Sequence, residues 1–254
     1  MPAVWPRLVP PLQGYTIRAS CRFTPTMPRP PAEQSGGGDV RAFLRRAKNV
    51  QRFSAGRSRL LFAMDATASR QPTWDLACEL QADMFRATTD LASLSIQLAY
   101  YRGLGELQLG DWQSDTQALA EHMSRVHCAA GRTQIAKLLR AALRQQGSAA
   151  ARAMVFIGDA VEEPPGQLAE LAGKCRIQSL PLFIFQEGSD PAAAQCFRDM
   201  ARISGGAYER FDQGSAQRLK ELLGAVARYA AGGRKALENN PSAGARILLK
   251  QLKN

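Results

Sequence analysis

The chain has 254 residues and a formal charge of +11, from 33 Lys or Arg against 22 Asp or Glu, and 45% of its residues are apolar. That apolar share excludes wholesale disorder, and no apolar run approaches the roughly 20 residues that cross a bilayer as a helix, which excludes an integral helical membrane protein. The five cysteines, Cys21, Cys78, Cys128, Cys175 and Cys196, have neither C-x-x-C nor metal-ligand spacing; they indicate neither a zinc finger nor a disulfide framework and predict reduced thiols in a cytoplasmic protein.

Residues 1–38 read as a disordered leader, with Met27 an alternative start. Arg7, Arg18, Arg22 and Arg29 sit there among many prolines, with no acid before Glu33. Such a stretch forms neither a regular helix nor a core, and it lacks the apolar centre of a secretory signal. Gly36-Gly37-Gly38 is a hinge, and Asp39 is a good N-cap. Val40, Phe43, Leu44 and Ala47 then recur at helical spacing, so residues 39–57 predict a short amphipathic helix. Its basic face carries Arg41, Arg45, Arg46, Lys48 and Arg52. The expected arrangement docks the apolar stripe on the domain and leaves the charges in water; without aromatic–basic interleaving or a nucleic-acid motif, a nucleic-acid partner is not favoured.

Residues 58–231 alternate strands and helices. Leu60–Met64 is a buried-strand run ending at Asp65. Ala77, Leu80, Met84, Ala87 and Leu91 step as a helix, and Leu94, Ile96, Leu98 and Tyr100 alternate as a strand. The turn Arg102-Gly103-Leu104-Gly105 leads into a second strand, Glu106–Trp112, predicting an antiparallel hairpin. Leu119, Met123 and Val126 mark a helix, and Gly131-Arg132-Thr133 opens the next, carried by Ile135, Leu138, Leu139 and Ala142. Ala153–Ile157 is a central strand running into Gly158-Asp159. Leu168, Leu171, Ala172 and Cys175 form a helix, Leu180–Phe185 a strand, and Phe197, Met200 and Ile203 a helix stopped by Gly205-Gly206. A short strand, Ala207–Phe211, precedes a helix through Leu219, Leu222, Leu223 and Val226. This order predicts an α/β fold: three layers, a doubly wound and mostly parallel sheet, and one antiparallel edge strand. Residues 232–254 form a basic tail. There Ile247, Leu248, Leu249 and Leu252 fit a short terminal helix that either docks on the domain or recruits a partner.

In such a sheet, ligands bind outside the carboxyl ends of the strands. Asp65-Ala66-Thr67-Ala68-Ser69, Gly131-Arg132-Thr133 and Gly158-Asp159 all map there. They offer two carboxylates and three hydroxyls, an all-oxygen set suited to Mg²⁺ or Mn²⁺. Each hydroxyl also has a plain structural use: Thr67, Ser69 and Thr133 could cap a helix or turn, and Asp159 could bind a loop.

The D-x-T-x-S segment, the G-x-T at a helix start and the Asp ending a central strand together resemble the metal-ion-dependent adhesion site of von Willebrand factor A domains. The resemblance covers roughly residues 58–230 and includes the hairpin and the Ile203-Ser204-Gly205-Gly206-Ala207-Tyr208 run. It implies that Thr67, Ser69 and Thr133 contact a divalent metal through their hydroxyls, while Asp65 and Asp159 hold it through water or orient the other ligands. It also implies the function. Neutral direct ligands leave the metal electrophilic, so an exposed Asp or Glu of a protein partner completes the octahedron. Members of the family often work as subunits beside other machinery. Arg70, Arg132, Glu162 and Glu163 flank these segments and are candidates for a partner-binding rim. Two departures stand out, although neither removes an oxygen: Thr67 replaces the usual Ser, and Gly158-Asp159-Ala160 replaces the usual Thr-Asp-Gly.

Two other readings compete. Asp65 and Gly158-Asp159 superficially resemble a haloacid-dehalogenase-type phosphatase, but Thr67 stands where that chemistry uses a second Asp, and Thr133 follows a helix and a loop rather than a strand. The second is a nucleic-acid binder using the basic helix and tail. Neither a G-x-G-x-x-G after the first strand nor a G-x-x-x-x-G-K-[ST] loop occurs, which counts against dinucleotide chemistry and ATP hydrolysis. His122 and His127 lack the i, i+4 spacing of a metal pair. His127-Cys128 is expected to border the site.

Overall fold

The structure, a computed structural model, describes residues 58–71, 74, 94–145, 150–212 and 216–252. The expected leader, the basic helix and the helix through Ala77–Leu91 lie outside them. The strands are β1 (Ser58–Asp65), β2 (Leu94–Arg102), β3 (Glu106–Gln113), β4 (Ala153–Gly158), β5 (Leu182–Glu187) and β6 (Ala207–Phe211). Among them run α1 (Thr116–Ser124), α2 (Ile135–Arg144), α3 (Pro165–Ile177), α4 (Pro191–Ser204), α5 (Ala216–Glu238) and α6 (Ala243–Gln251). The strands form one sheet in the order β3-β2-β1-β4-β5-β6. Only the β2–β3 pair is antiparallel; β1 pairs in parallel with β2 and β4, as do β4 with β5 and β5 with β6. This is the doubly wound sheet with an antiparallel edge strand that the residue pattern predicts.

Two-sided burial explains why β1 is an unbroken apolar run. Leu60, Phe62 and Met64 point to one face, where they cluster with Leu119 and Met123 of α1 and Leu219, Leu222 and Val226 of α5. Leu61 and Ala63 point to the other, against Leu138 of α2, Leu168 of α3 and Phe197 of α4. All five residues from Leu60 to Met64 are fully buried.

The chain between α4 and β6 turns on two glycines. Gly205 takes the left-handed conformation, with φ of 81°, and the Gly206 N–H bonds back to Ala201 at 2.9 Å. A Cβ on Gly206 would lie 1.9 Å from the Leu182 carbonyl oxygen, so glycine is required where α4 enters the sheet.

The tail resolves an alternative left open by the sequence. The long helix breaks at Gly233, whose φ of 67° and ψ of −161° leave helical geometry, and a second helical stretch then runs to Glu238. Leu237, Ala245, Leu248 and Leu252 are buried in the same core as β1. The terminal helix therefore docks on its own domain. Among the described residues, no helix is long and apolar enough to cross a membrane.

Candidate metal centre

Strand register brings the chemistry together. Met64 of β1 pairs with Ile157 of β4, so Asp65 and Gly158-Asp159 leave the sheet side by side at its carboxyl end. A Cβ on Gly158 would meet the Phe156 ring at 2.8 Å and the Asp65 Cβ at 3.5 Å. That crowding is the physical reason glycine precedes Asp159 here.

Asp65 is fully buried. Its Oδ1 accepts the Thr67 N–H at 2.7 Å and its Oδ2 accepts the Tyr101 hydroxyl at 2.9 Å. Burial pushes its carboxyl above the usual carboxylate range and the charge of Asp159 adds to this, while the bonds from Thr67 and Tyr101 pull the other way. The Tyr101 phenol is raised well above its ordinary value, first by burial and then by Asp65, with Glu163 and Asp159 contributing. Three carboxylates thus act on one buried phenol.

Thr67 is buried and Ser69 exposed, with their hydroxyl oxygens 3.1 Å apart. Thr67 precedes a short 3-10 turn, but its side chain makes no capping bond. A parallel bridge joins Thr67 to Ala129, and the Ala129 N–H reaches the Ala66 carbonyl at 3.0 Å. The segment leading to Thr133 is thereby laid beside the end of β1. It is then pinned to the β2–β3 turn. A Cβ on Gly131 would sit 2.0 Å from the Gly103 carbonyl oxygen, the Arg132 N–H bonds that oxygen at 3.3 Å, and Gln134 donates to the Arg102 and Gly103 carbonyls at 3.0 and 3.2 Å.

Thr133 does not cap α2: Gln134 holds the N-cap position and its side chain makes no capping bond. Instead, the Thr133 N–H donates to Glu162 Oε2 at 2.9 Å, its hydroxyl donates to the Glu163 carboxylate, and its Oγ1 accepts the Glu162 N–H at 2.9 Å. Glu163 also accepts the Ala136 N–H at 3.0 Å, so it serves as the missing cap of α2.

No family model matches the sequence, and no curated protein matches it. Solved structures do match its fold. An aerotolerance-related membrane protein from Bacteroides fragilis superposes with a TM-score of 0.52 at 16% identity, covering 65% of this chain and 96% of that one. The VWA domain of SpRpn10 gives 0.53 at 10% identity, over 69% and 97%. A von Willebrand factor type A structure from Catenulispora acidiphila gives 0.50 at 17% identity, over 68% and 43%. The chain has a von Willebrand factor A fold.

At the carboxyl end of this von Willebrand factor A sheet, the sequence-predicted residues are gathered unequally. Asp65, Thr67, Ser69 and Asp159 come from adjacent strand ends, and the pinned loop brings Thr133 beside Glu162 and Glu163. Among the described residues, no group of three or more His, Cys, Asp or Glu could hold a metal by itself. Any cation here therefore depends on the hydroxyls. Two observations fit that demand. Asp159 Oδ1 is buried with no hydrogen-bond partner among the described residues, so its lone pairs are available to a cation or to a water on one. The Thr133 hydroxyl donates a hydrogen bond to Glu163 and accepts one from the Glu162 N–H, which leaves its second lone pair unused.

The rim needs one correction. Arg70, expected on the surface, is only 1% exposed. Its guanidinium pairs with Glu187 at 2.9 Å, lies 5.8 Å from the Trp74 ring centroid and reaches the Asp65 and Ile157 carbonyls at 3.5 and 3.3 Å. Arg70 therefore ties together the ends of β1, β4 and β5. Arg132 and Glu162 are exposed and Glu163 is half-buried. Cys128 does border the site, feeling Arg70, Asp65 and Asp159, but burial pushes its thiol up to about 11. It is a protonated thiol, not an activated nucleophile. Tyr101 and the Gly131–Gly103 contact were missed by sequence reasoning; the only available signal was a tyrosine next to the strand's alternating face.

Proposed function

We propose that the chain is a protein-interaction module that captures an acidic side chain of its partner through Mg²⁺ or Mn²⁺. Thr67, Ser69 and Thr133 would hold the cation through their hydroxyls, with Asp65 and Asp159 acting through water or as orienting groups. When bound, the cation supplies an electrophilic position, because hydroxyl ligands add no charge to it. The observation that carries this reading is the orphaned, buried Asp159 Oδ1 beside the end of β1.

The chain's own groups support the assignment. Tyr101 and the Thr67 N–H hold Asp65 in one orientation, and Glu163 accepts a hydrogen bond from the Thr133 hydroxyl, as supporting residues do around metal ligands. The formal charge of +11 favours approach of an acidic partner. Free thiols at Cys128, Cys175 and Cys196 suit a reducing, cytoplasmic setting. A phosphatase reading is disfavoured by Asp65 itself, a fully buried carboxylate with both oxygens already bonded, whereas a nucleophile must reach its substrate.

The test is a Mn²⁺ titration followed by the electron paramagnetic resonance signal of the free ion. The Asp65→Ala, Thr133→Ala double variant is the comparison, with its fold checked by circular dichroism. One site in the wild type that disappears in the folded variant is expected. No site in the wild type would overturn the reading.

A further inference from the structure

A cavity of about 750 Å³ opens on the β6 side of the sheet, lined by the end of α3, by one side of α4, by β6, by the start of α5 and by Gln251 of α6. Its lining includes Gly206, which sits against Leu182 at the start of β5. The cavity thus reaches the amino-terminal ends of the strands, away from Asp65 and Asp159. Its basic residues are all arginines: Arg176, Arg198, Arg202, Arg210 and Arg218. Arg218 is neutralised by Glu209 at 2.8 Å and Arg202 by Asp199 at 2.8 Å. Among the described residues, no carboxylate pairs with Arg176, Arg198 or Arg210, leaving three guanidinium charges around one cavity.

Its walls are prearranged. A Cβ on Gly205 would lie 1.9 Å from Arg176 Nη1, so the bare glycine is what admits this guanidinium to the end of α4, where the helix dipole favours a cation. Arg198 lies 5.4 Å from the Tyr208 ring centroid, and the Tyr208 hydroxyl is anchored on Gln186 at 2.6 Å. Ala194, Ala201, Gly205 and Gly206 leave room between the arginines. The volume falls in the range of small-molecule sites, roughly 300–1,000 Å³. Guanidinium forks match phosphate oxygens two at a time, which lysine cannot do.

An extended acidic peptide fits less well. The free edge of β6 is where such a peptide would add as a strand, and Gln251 closes it. Its side-chain amide accepts the Tyr208 N–H at 2.9 Å and donates to the Tyr208 carbonyl at 3.0 Å. We infer that this cavity binds a small molecule carrying two or more phosphate groups, held by Arg176, Arg198 and Arg210.

The experiment is calorimetric titration of the full chain with sodium tripolyphosphate, in about 150 mM salt to screen diffuse attraction. Chelator is present so that the candidate metal centre takes no part. One site is expected, weakened at least about tenfold in Arg176→Ala, Arg198→Ala and also in Arg176→Lys, Arg198→Lys, which keeps the charge and loses the fork. The Arg140→Ala, Arg144→Ala variant removes two exposed arginines of α2 and is expected to bind as the wild type does. Absence of binding at millimolar ligand, equal weakening in the α2 variant, or tighter binding of hexaglutamate than of tripolyphosphate would each overturn the inference.

Discussion

Arg70 and Glu187 form an ion pair at 2.9 Å in which the arginine side chain is wholly buried and the glutamate 12% exposed. The pair joins the turn after β1 to the end of β5, across β4. Removing one partner of such a pair strands the other charge. Arg70→Ala is therefore expected to destabilise the fold by roughly 3–5 kcal/mol. The Arg70→Met, Glu187→Leu double variant should recover much of that loss. Urea unfolding of the three proteins checks it, and an Arg70→Ala protein as stable as the wild type would contradict this placement of Arg70.

Gly131 touches the hairpin turn so closely that a methyl group has nowhere to go. Gly131→Ala is expected to cost roughly 1–3 kcal/mol through overpacking and to weaken any Mn²⁺ binding that depends on Thr133. A Cβ at Gly166, near the start of α3, meets nothing within 4 Å. Gly166→Ala should consequently be neutral or mildly stabilising. Thermal midpoints of the two variants, run side by side, separate the effect of position from that of the substitution.

Asp65 is held as a buried carboxylate against its desolvation, which raises its pKa. Asp65→Asn keeps the shape, and the Tyr101 hydroxyl can accept from the new amide. The variant is expected to be more stable at neutral pH by on the order of 1 kcal/mol while losing metal. Chemical unfolding at neutral pH alongside the Mn²⁺ titration tests both halves. Loss of stability together with metal binding would mean that Asp65 serves mainly to hold its loop.

Gln251 does for the edge of β6 what a neighbouring strand would do. Exposed edges invite pairing with other chains. Gln251→Ala leaves the Tyr208 N–H and carbonyl without this partner and is expected to promote concentration-dependent self-association. Sedimentation velocity over a range of concentrations reports it, and an unchanged monomer fraction relative to wild type would contradict the prediction.

The buried thiols set an alkaline limit. Burial pushes Cys175 up to about 12 and Cys196 to about 11, from 9.0 when exposed. Below the exposed value, the folded and unfolded chains both keep these protons. Above it the unfolded chain releases them while the folded chain does not, so stability declines as pH rises from about 9 towards 11–12. Cys175→Ala should flatten that decline. Unfolding midpoints at about pH 8 and about pH 10 compare the two proteins, and parallel curves would contradict it.

How much of this was legible depends on whether the information is local. The run Leu60–Met64, the Arg102–Gly105 turn and the Gly205-Gly206 stop carry their structure in their own side chains, and the strand ends they mark already located Asp65 and Asp159. Thr67 and Thr133 were ambiguous, because a hydroxyl near a helix start reads equally as a cap. The structure shows that neither caps a helix: the Thr67 hydroxyl lies 3.1 Å from that of Ser69, and Thr133 bonds Glu162 and Glu163. Whether Leu248 and Leu252 dock on the domain or recruit a partner was not legible, because they gain their stability from a core contributed by distant strands.

The sequence by itself determined the order of elements, the two-faced sheet and the end of it where oxygen-bearing side chains collect, since periodicity and turn chemistry act over a few residues. Only the tertiary structure decided that Arg70 is buried in an ion pair with Glu187, that Tyr101 bonds Asp65, and that five arginines share one cavity. Those facts depend on strand register and on which distant residue arrives opposite. A charged side chain can be buried only where the fold supplies its partner, and that partner need not be near in sequence.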